Sequence, residues 1–302
     1  AEGPAHRDSP AGLFLRFGRE VGLATLGRGG DRLLSYGAFF DPEGRQPPFT
    51  ERRCLRPPGF INGRALPPSD FAEDKIRESI AYSWFAESGG SGRPGDNRTI
   101  PDYAPNSPRY SWAKAPRYDG EVVEVGALAE LVVAADPLIS SFWQAEGSSV
   151  WLRELARIHR PVLTLASMRQ TLHSLLTDAF DLPYYLPPAT SHRQGQQAGK
   201  GSSRGSGLIQ AARGGLGHWL SLQDGKISGY QIISPTTWNA SPRDDQDRPG
   251  HWESTLIGTH IDDLDNPIEL EHIIRSHDAC LVCCVHFLQS GRTLTFSPTL
   301  NR

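Results

Sequence analysis

Residues 211–245 read AARGGLGHWLSLQDGKISGYQIISPTTWNASPRDD, and the reading of that stretch decides the architecture. Asp224 and Gly225 separate GHWLSLQ from KISGYQIIS, two runs rich in aromatic and β-branched residues. An Asp-Gly pair between such runs predicts a β-hairpin with a two-residue turn, because both turn residues must take positive φ. The following SPTTWNASPRDD predicts a turn-rich loop. Asn266-Pro267 then opens a short helix, about 268–277, that leads directly into HDACLVCCVHF.

Upstream the pattern is mostly helical. Ser69 after Pro67-Pro68 is a candidate N-cap, and Phe71, Ile76, Ile80 and Trp84 predict a helix that stops at Gly89-Gly90. Residues 91–120 read as a long loop pinned by Tyr103, Tyr110, Trp112 and Tyr118. The run EVGALAELVVAA, residues 124–135, predicts a buried helix. A longer one is expected over about 149–180, kinked or divided at Pro161. Residues 1–60 read as loop-rich, and 191–207, SHRQGQQAGKGSSRGSG, as a flexible surface insertion. The expected fold class is mainly α with a small β component (α+β), in a single domain over 1–302.

With 302 residues, 38% of them hydrophobic, the chain is long enough for a substantial core. A net charge of -3 excludes a basic nucleic-acid surface, so no nucleic-acid partner is expected. No apolar run approaches the roughly 18 residues of a membrane span. Four cysteines cannot frame disulfides for this length, and three of them, Cys280, Cys283 and Cys284, fall within five residues of one another. A C-x-x-C followed by x-x-H can serve one metal centre, and thiolates favour zinc, nickel, copper(I) or iron. The same pattern also fits a redox dithiol, half of a zinc site, or inert buried thiols.

The stretch from Leu33 to His286 resembles the large, catalytic subunit of nickel-iron hydrogenases. That family ends in D-P-C-x-x-C-x-x-H, matched by Asp278 to His286 with Ala279 in place of proline. Residues 211–245 resemble its arginine loop, hairpin and Pro-Ser/Thr-Trp-Asn loop, with Ala212 in place of a proline. LLSYGAF, FINGRAL and YSWAKAPRYDGEVVEVGALA are similar to large-subunit segments in the same order.

The resemblance implies a Ni-Fe centre with CN and CO ligands on iron. Cys280 would be a terminal nickel ligand and Cys283 a bridging thiolate. Arg213 and Thr236 would bond the cyanides, Pro235 and Leu216 would form the apolar side around the carbonyl ligand, and Arg213 and Asp278 would lie over the open coordination position. His286 and the Ile232 carbonyl would hold Mg2+ or a similar divalent ion. The bond between His286 and Phe287 would be the cleavage site that removes 287–302 as a C-terminal extension. Simpler roles exist for several of these: Thr236 or Asp278 can cap a turn, and His272 and His277 read as exposed or partner-facing.

The family's amino-terminal R-x-C-G-x-C signature is absent here, since Cys54 stands alone in ERRCLRPPG. The expectation is therefore a C-terminal portion completed by a missing N-terminal part, either in a longer subunit or as a split one. The implied partners are an iron-sulfur small subunit, a maturation protease and nickel-insertion proteins, with no iron-sulfur cluster in this chain. Localisation would follow the small subunit, membrane-associated or periplasmic, and otherwise cytoplasmic. A non-catalytic scaffold for cofactor assembly is the alternative.

Overall fold

The Asp-Gly turn forms as its chemistry requires. A computed structural model describes residues 9–40, 54–64, 66–86, 91–96, 99–177, 201–279, 285–289 and 292–296. In it β8 (Gly214–Gln223) and β9 (Lys226–Ile233) pair antiparallel up to Gln223 and Lys226. Asp224 and Gly225 sit at φ 50° and 76°, both positive, the signature of a type I′ turn. Gly225→Ala is expected to destabilise the chain by about 1 kcal/mol, read as a shift in the urea midpoint at unchanged slope, because an L side chain is strained at that φ.

The hairpin is part of a three-stranded sheet. Its third strand, β7 (Ser202–Ala211), pairs with β8 from Ser202–Gln223 to Ala211–Gly214. This corrects the expected flexible insertion over 191–207: of that range, 202–207 is ordered strand, and 191–200 lie outside the described residues. Ser and Gly carry little side-chain signal, so the backbone ladder to β8 is what orders the segment.

A second correction concerns residues 69–88. Glu73–Lys75 form a single 3-10 turn, and Ile76–Ser79 form β5, paired with β6 (Ala115–Tyr118). Ile76, Ile80 and Trp84 are spaced by four, which suits a strand face as well as a helix face. Ile76 and Glu78 are buried and Arg77 between them is exposed, the alternation of a strand, which ends at Ser79, itself buried.

The loop-rich N-terminal region does contain a helix, α1 (Pro10–Glu20), with Ser9 as N-cap accepting from Gly12 N at 3.1 Å. After it come β1 (Arg32–Ser35) and β4 (Gly59–Asn62), an antiparallel pair, and β2 (Ala38–Phe40) with β3 (Cys54–Arg56). β1 separates two cores. Leu33 joins Ile61, Trp143, Trp151 and Leu152 on one side, while Leu34 joins Tyr36, Phe60, Tyr118, Trp219 and Trp238 on the other.

The first core is built largely on α2 (Ala127–Val133), in which every residue is buried, as its apolar composition predicts. It is followed by α3 (Pro137–Glu146), N-capped by Asp136, and α4 (Val150–Thr177). Pro161 lies inside α4 without dividing it, contrary to one of the two expectations there. The turn-rich SPTTWNASPRDD contains a short helix, α5 (Pro235–Asn239), capped by Ser234, so Thr236 is not the cap. Beyond α5 the chain is fixed by Asp244, fully buried, which accepts from Arg117 Nε at 2.8 Å and Arg248 Nε at 3.0 Å.

Two helices then complete the part that matters for the site, α6 (His251–Leu256) and α7 (Ile268–Ser276), the latter starting where Asn266-Pro267 placed it. β10 (Val285–Gln289) and β11 (Arg292–Phe296) pair as a terminal hairpin. The class is α+β, with more strand than the sequence pattern indicated. Among the described residues no helix is long and apolar enough to cross a membrane. The aromatic pinning of 91–120 is present: Tyr103 stacks on Trp112, and both meet Trp84 edge-on.

Candidate functional site

Arg213 sits in the turn that joins β7 to β8, between the paired residues Ala211 and Gly214. This turn packs directly on the residues that precede α2. A Cβ on Gly214, whose φ is 130°, would lie 2.9 Å from Gly126 N, so only glycine permits the approach. From β7, Gln210 Nε2 donates to Gly126 O at 3.1 Å. From α5, Asn239 grips the neighbouring residue twice, accepting from Val125 N at 3.0 Å and donating to Val125 O at 2.8 Å. Val125 and Gly126 are therefore the common support for the Arg213 turn and for the helix that begins with Pro235 and Thr236.

Asp278 closes the arrangement. It follows α7 in the left-handed region at φ 53°, which aspartate tolerates better than most residues. Its Oδ1 lies 3.6 Å from Arg213 Nε and 3.6 Å from Arg157 Nη1. Both Asp278 and Arg213 retain more than a third of their side-chain exposure, so the pair is open on one side. The expected partners Arg213 and Asp278 thus meet across 65 positions of chain, immediately before the cysteine segment.

Other expected residues take up separate places. Leu216 is half-buried in β8 opposite Ile209, and Pro235 and Thr236 are half-buried at the start of α5. Ile232 is 47% exposed in β9 and lines a different cavity of about 610 Å³ with Glu78, Lys114, Gln231 and Thr237. Cys280 and Cys283 lie outside the described residues. His286 and Phe287 belong to β10, opposite Thr295 and Leu294. Among the described residues no group of three or more His, Cys, Asp or Glu is close enough to hold a metal ion.

Behind the Arg213–Asp278 pair lies a buried charged cluster that the sequence reading missed. Glu124, 2% exposed, accepts from Arg153 Nε at Oε1 (2.8 Å) and from Nη2 at Oε2 (3.1 Å), and Oε2 also lies 2.9 Å from His251 Nε2. Arg153 also donates to Gly27 O at 2.8 Å. Burial alone would raise the Glu124 carboxyl, but Arg153 and His251 override it and hold it well below the usual carboxylate range.

His277 adjoins this cluster, its ring 5.2 Å from His251 and 5.9 Å from Trp252. Only 7% exposed, it is not the surface histidine expected: α7 turns it inward, and Nδ1 lies 2.9 Å from Ile273 O. Burial, then Arg153 and His251, hold it well below the usual histidine range, so the folded chain keeps it neutral. The unfolded chain protonates it near pH ~6.5 and the folded chain only far below, so acidification favours unfolding. Its stabilising contribution is complete above about pH 6.5 and is lost as pH falls. Melting temperatures measured from pH 7 downward should fall less steeply for His277→Phe than for the parent chain.

A second buried carboxylate stands in the Ile232 cavity. Burial pushes the Glu78 carboxyl up to about 7 against the pull of Lys114, 3.6 Å away, and of Gln231, which donates at 3.0 Å. A carboxylate beside the backbone of Ile232 is an oxygen donor of the type a hard divalent ion takes. At the main site the donor chemistry also fits. Arg213 is a guanidinium donor beside an acid, placed where the chain enters its two thiolate candidates.

An α+β scaffold that presents a fixed Arg–Asp pair at the entrance to a C-x-x-C segment defines a candidate metal-dependent redox chain. More specifically, the chain belongs to the nickel-dependent hydrogenase family, whose sequence profile matches residues 20–286. The Hydrogenase-1 large chain of Citrobacter freundii is 32% identical over 296 residues, spanning 85% of this chain and 48% of that one. The uptake hydrogenase large subunit of Azotobacter chroococcum mcd 1 is 29% identical and spans 88% of this chain and 50% of its own length. The Ni-Fe-Se hydrogenase from D. vulgaris Hildenborough in the reduced state superposes with a TM-score of 0.72 at 30% identity, covering 89% of this chain and 55% of that chain. The chain spans about half the length of the curated relatives it matches.

Proposed function

We propose that the chain is the C-terminal, metal-carrying part of a hydrogenase large subunit and takes part in reversible heterolytic cleavage of H2 to protons and electrons. The observation that carries this reading is the meeting of Arg213 and Asp278 at 3.6 Å directly before the cysteine segment, in a chain of this family. When bound, a Ni-Fe centre supplies the electrophile that polarises hydrogen and the redox capacity for its two electrons.

The chain's own residues do the rest. Cys280 and Cys283 would hold the metals as thiolates. Arg213, always charged, places a fixed positive field over the open side. Asp278 can hold a released proton at Oδ1, with Arg213 and Arg157 orienting that oxygen. Thr236 and Arg213 would donate to cyanide ligands of the bound centre, and Pro235 and Leu216 would keep the side around the carbonyl ligand apolar. The Ile232 carbonyl and His286 would hold Mg2+ or a similar ion, with the buried Glu78 beside Ile232 as a further oxygen donor.

Electrons would pass to an iron-sulfur small subunit, which would set a membrane-associated or periplasmic location, the chain being otherwise cytoplasmic. The remaining half of the large-subunit fold, a maturation protease acting at His286–Phe287, and nickel-insertion proteins are the other partners. The test is hydrogen-dependent dye reduction by the complex purified through this chain. Activity lost in Cys280→Ser and Cys283→Ser supports the reading, and activity indifferent to both overturns it. A non-catalytic scaffold for cofactor assembly is the second reading, favoured by Cys54 being the one cysteine outside the 280–284 cluster. Iron and cyanide without nickel in the purified complex would select it.

A further inference from the structure

We propose that Arg160, held in place by Glu130, is a positioning residue for Arg213. Arg160 lies on α4, where its Nη1 donates to Ala212 O at 2.6 Å and its Nη2 lies 3.3 Å from Ala211 O. Those are the two carbonyls that precede Arg213 in its turn. A guanidinium is planar, and bonding two consecutive carbonyls fixes the peptide planes on either side of Ala212. The direction in which the chain presents Arg213 is set by those planes.

Glu130 fixes the clamp itself. Its carboxylate is fully buried, with Oε1 hydrogen-bonded to Arg56 of β3 and Oε2 in ion contact with Arg160 Nη2 at 3.0 Å, without hydrogen-bond alignment. Two guanidinium groups on one buried carboxylate leave Arg160 little freedom to leave its carbonyls. The opposite side of the turn already rests on Gly126 through Gly214 and Gln210. Without Arg160 the turn would be held from that side alone. Among the described contacts Arg160 does not touch Asp278, and its influence on Arg213 runs through the backbone.

The Ala212 position gives an independent test of this mechanism. It is the second residue of the four-residue turn Ala211–Gly214, where proline is favoured because its ring presets φ. If the role of Arg160 is to restrain that backbone, a proline at 212 should make Arg160 largely dispensable. If Arg160 is merely an ion-pair partner for Glu130, proline at 212 should change nothing.

The inference rests on the reading that Arg213 acts at the hydrogen site, and two measurements keep the two claims apart. In the purified complex, Arg160→Met is expected to speed backbone deuterium exchange over 213–216 by at least ~10-fold while α2 and β9 stay protected. It should also lower kcat for hydrogen oxidation by roughly 10- to 100-fold, with KM for hydrogen unchanged within about twofold. Arg160→Lys, which keeps the charge beside Glu130 and one donor, should be intermediate and guards against misfolding of the Met variant. Adding Ala212→Pro to Arg160→Met should recover slow exchange and most of kcat. Unchanged exchange in Arg160→Met, or no recovery with Ala212→Pro, would overturn the clamp. A complex with no hydrogen activity in any form would overturn the functional reading, and the exchange result would still decide the clamp.

Discussion

Arg153→Met is expected to destabilise the chain by about 3–5 kcal/mol, the largest loss of any single substitution considered for this fold. It leaves Glu124 buried with its bidentate partner removed and only His251 beside it. It also takes a donor from Gly27 O, which lies on the approach to β1. Urea unfolding should show the loss as a lower midpoint at pH 7. Because Glu124 is held ionised well below its usual range, the wild-type cluster keeps its contribution at neutral pH and loses it only as pH drops through the carboxylate range. Arg153→Met should therefore show a smaller difference from wild type at pH 3 than at pH 7. A loss under 1 kcal/mol would mean that the helices behind the site are held by packing and not by this cluster.

The second large effect falls on activity. Arg213→Lys preserves charge but exchanges a planar fork for a point charge on a flexible stem. Kcat for hydrogen oxidation is expected to fall by about 10²–10³-fold, the order seen when one preorganised electrostatic contact is lost. Stability should change little, since Arg213 is 43% exposed and its pairing with Asp278 is a half-open one. A variant with full activity would remove Arg213 from the mechanism and leave it a surface arginine.

Several elements could be read directly from residues because their signals are local. Asp224-Gly225 specifies its turn by backbone conformation, and Asn266-Pro267 specifies the start of α7. EVGALAELVVAA is apolar on all sides and had to be buried, although α2 starts only at Ala127 because Gly126 stands at φ 146°. Ser9-Pro10 carried an equally local helix signal that a loop-rich reading of 1–60 passed over. The misread segments are those whose order comes from a distant strand. β7 is mostly exposed on both faces and exists as the edge partner of β8, and β5 needs β6, which begins 39 residues later.

The site divides in the same way. Arg213 and Asp278 were identifiable through the resemblance, since each stands in a recognisable motif. The polar groups behind them were not, because Glu124, Arg153 and His251 come from three segments up to 127 positions apart. One signal was available in advance. Arg153, Arg157 and Arg160 are spaced i, i+4, i+7 on a single helix, which puts three arginines on one face, and Glu124 and Glu130 were the only charges in an apolar run. Such charges must find partners when buried, and these did: Arg153 binds Glu124, Arg157 lies beside Asp278, and Arg160 lies beside Glu130.

The most direct test of the central claim is the metal content and infrared spectrum of the complex isolated from its native source through this chain. Nickel and iron in equal amounts, with stretching bands of metal-bound cyanide and carbon monoxide that shift under hydrogen, are the predicted result. Zinc in place of nickel, or a spectrum with no cyanide or carbon monoxide band, would contradict the assignment of Cys280, Cys283, Arg213 and Asp278 to a working hydrogen site.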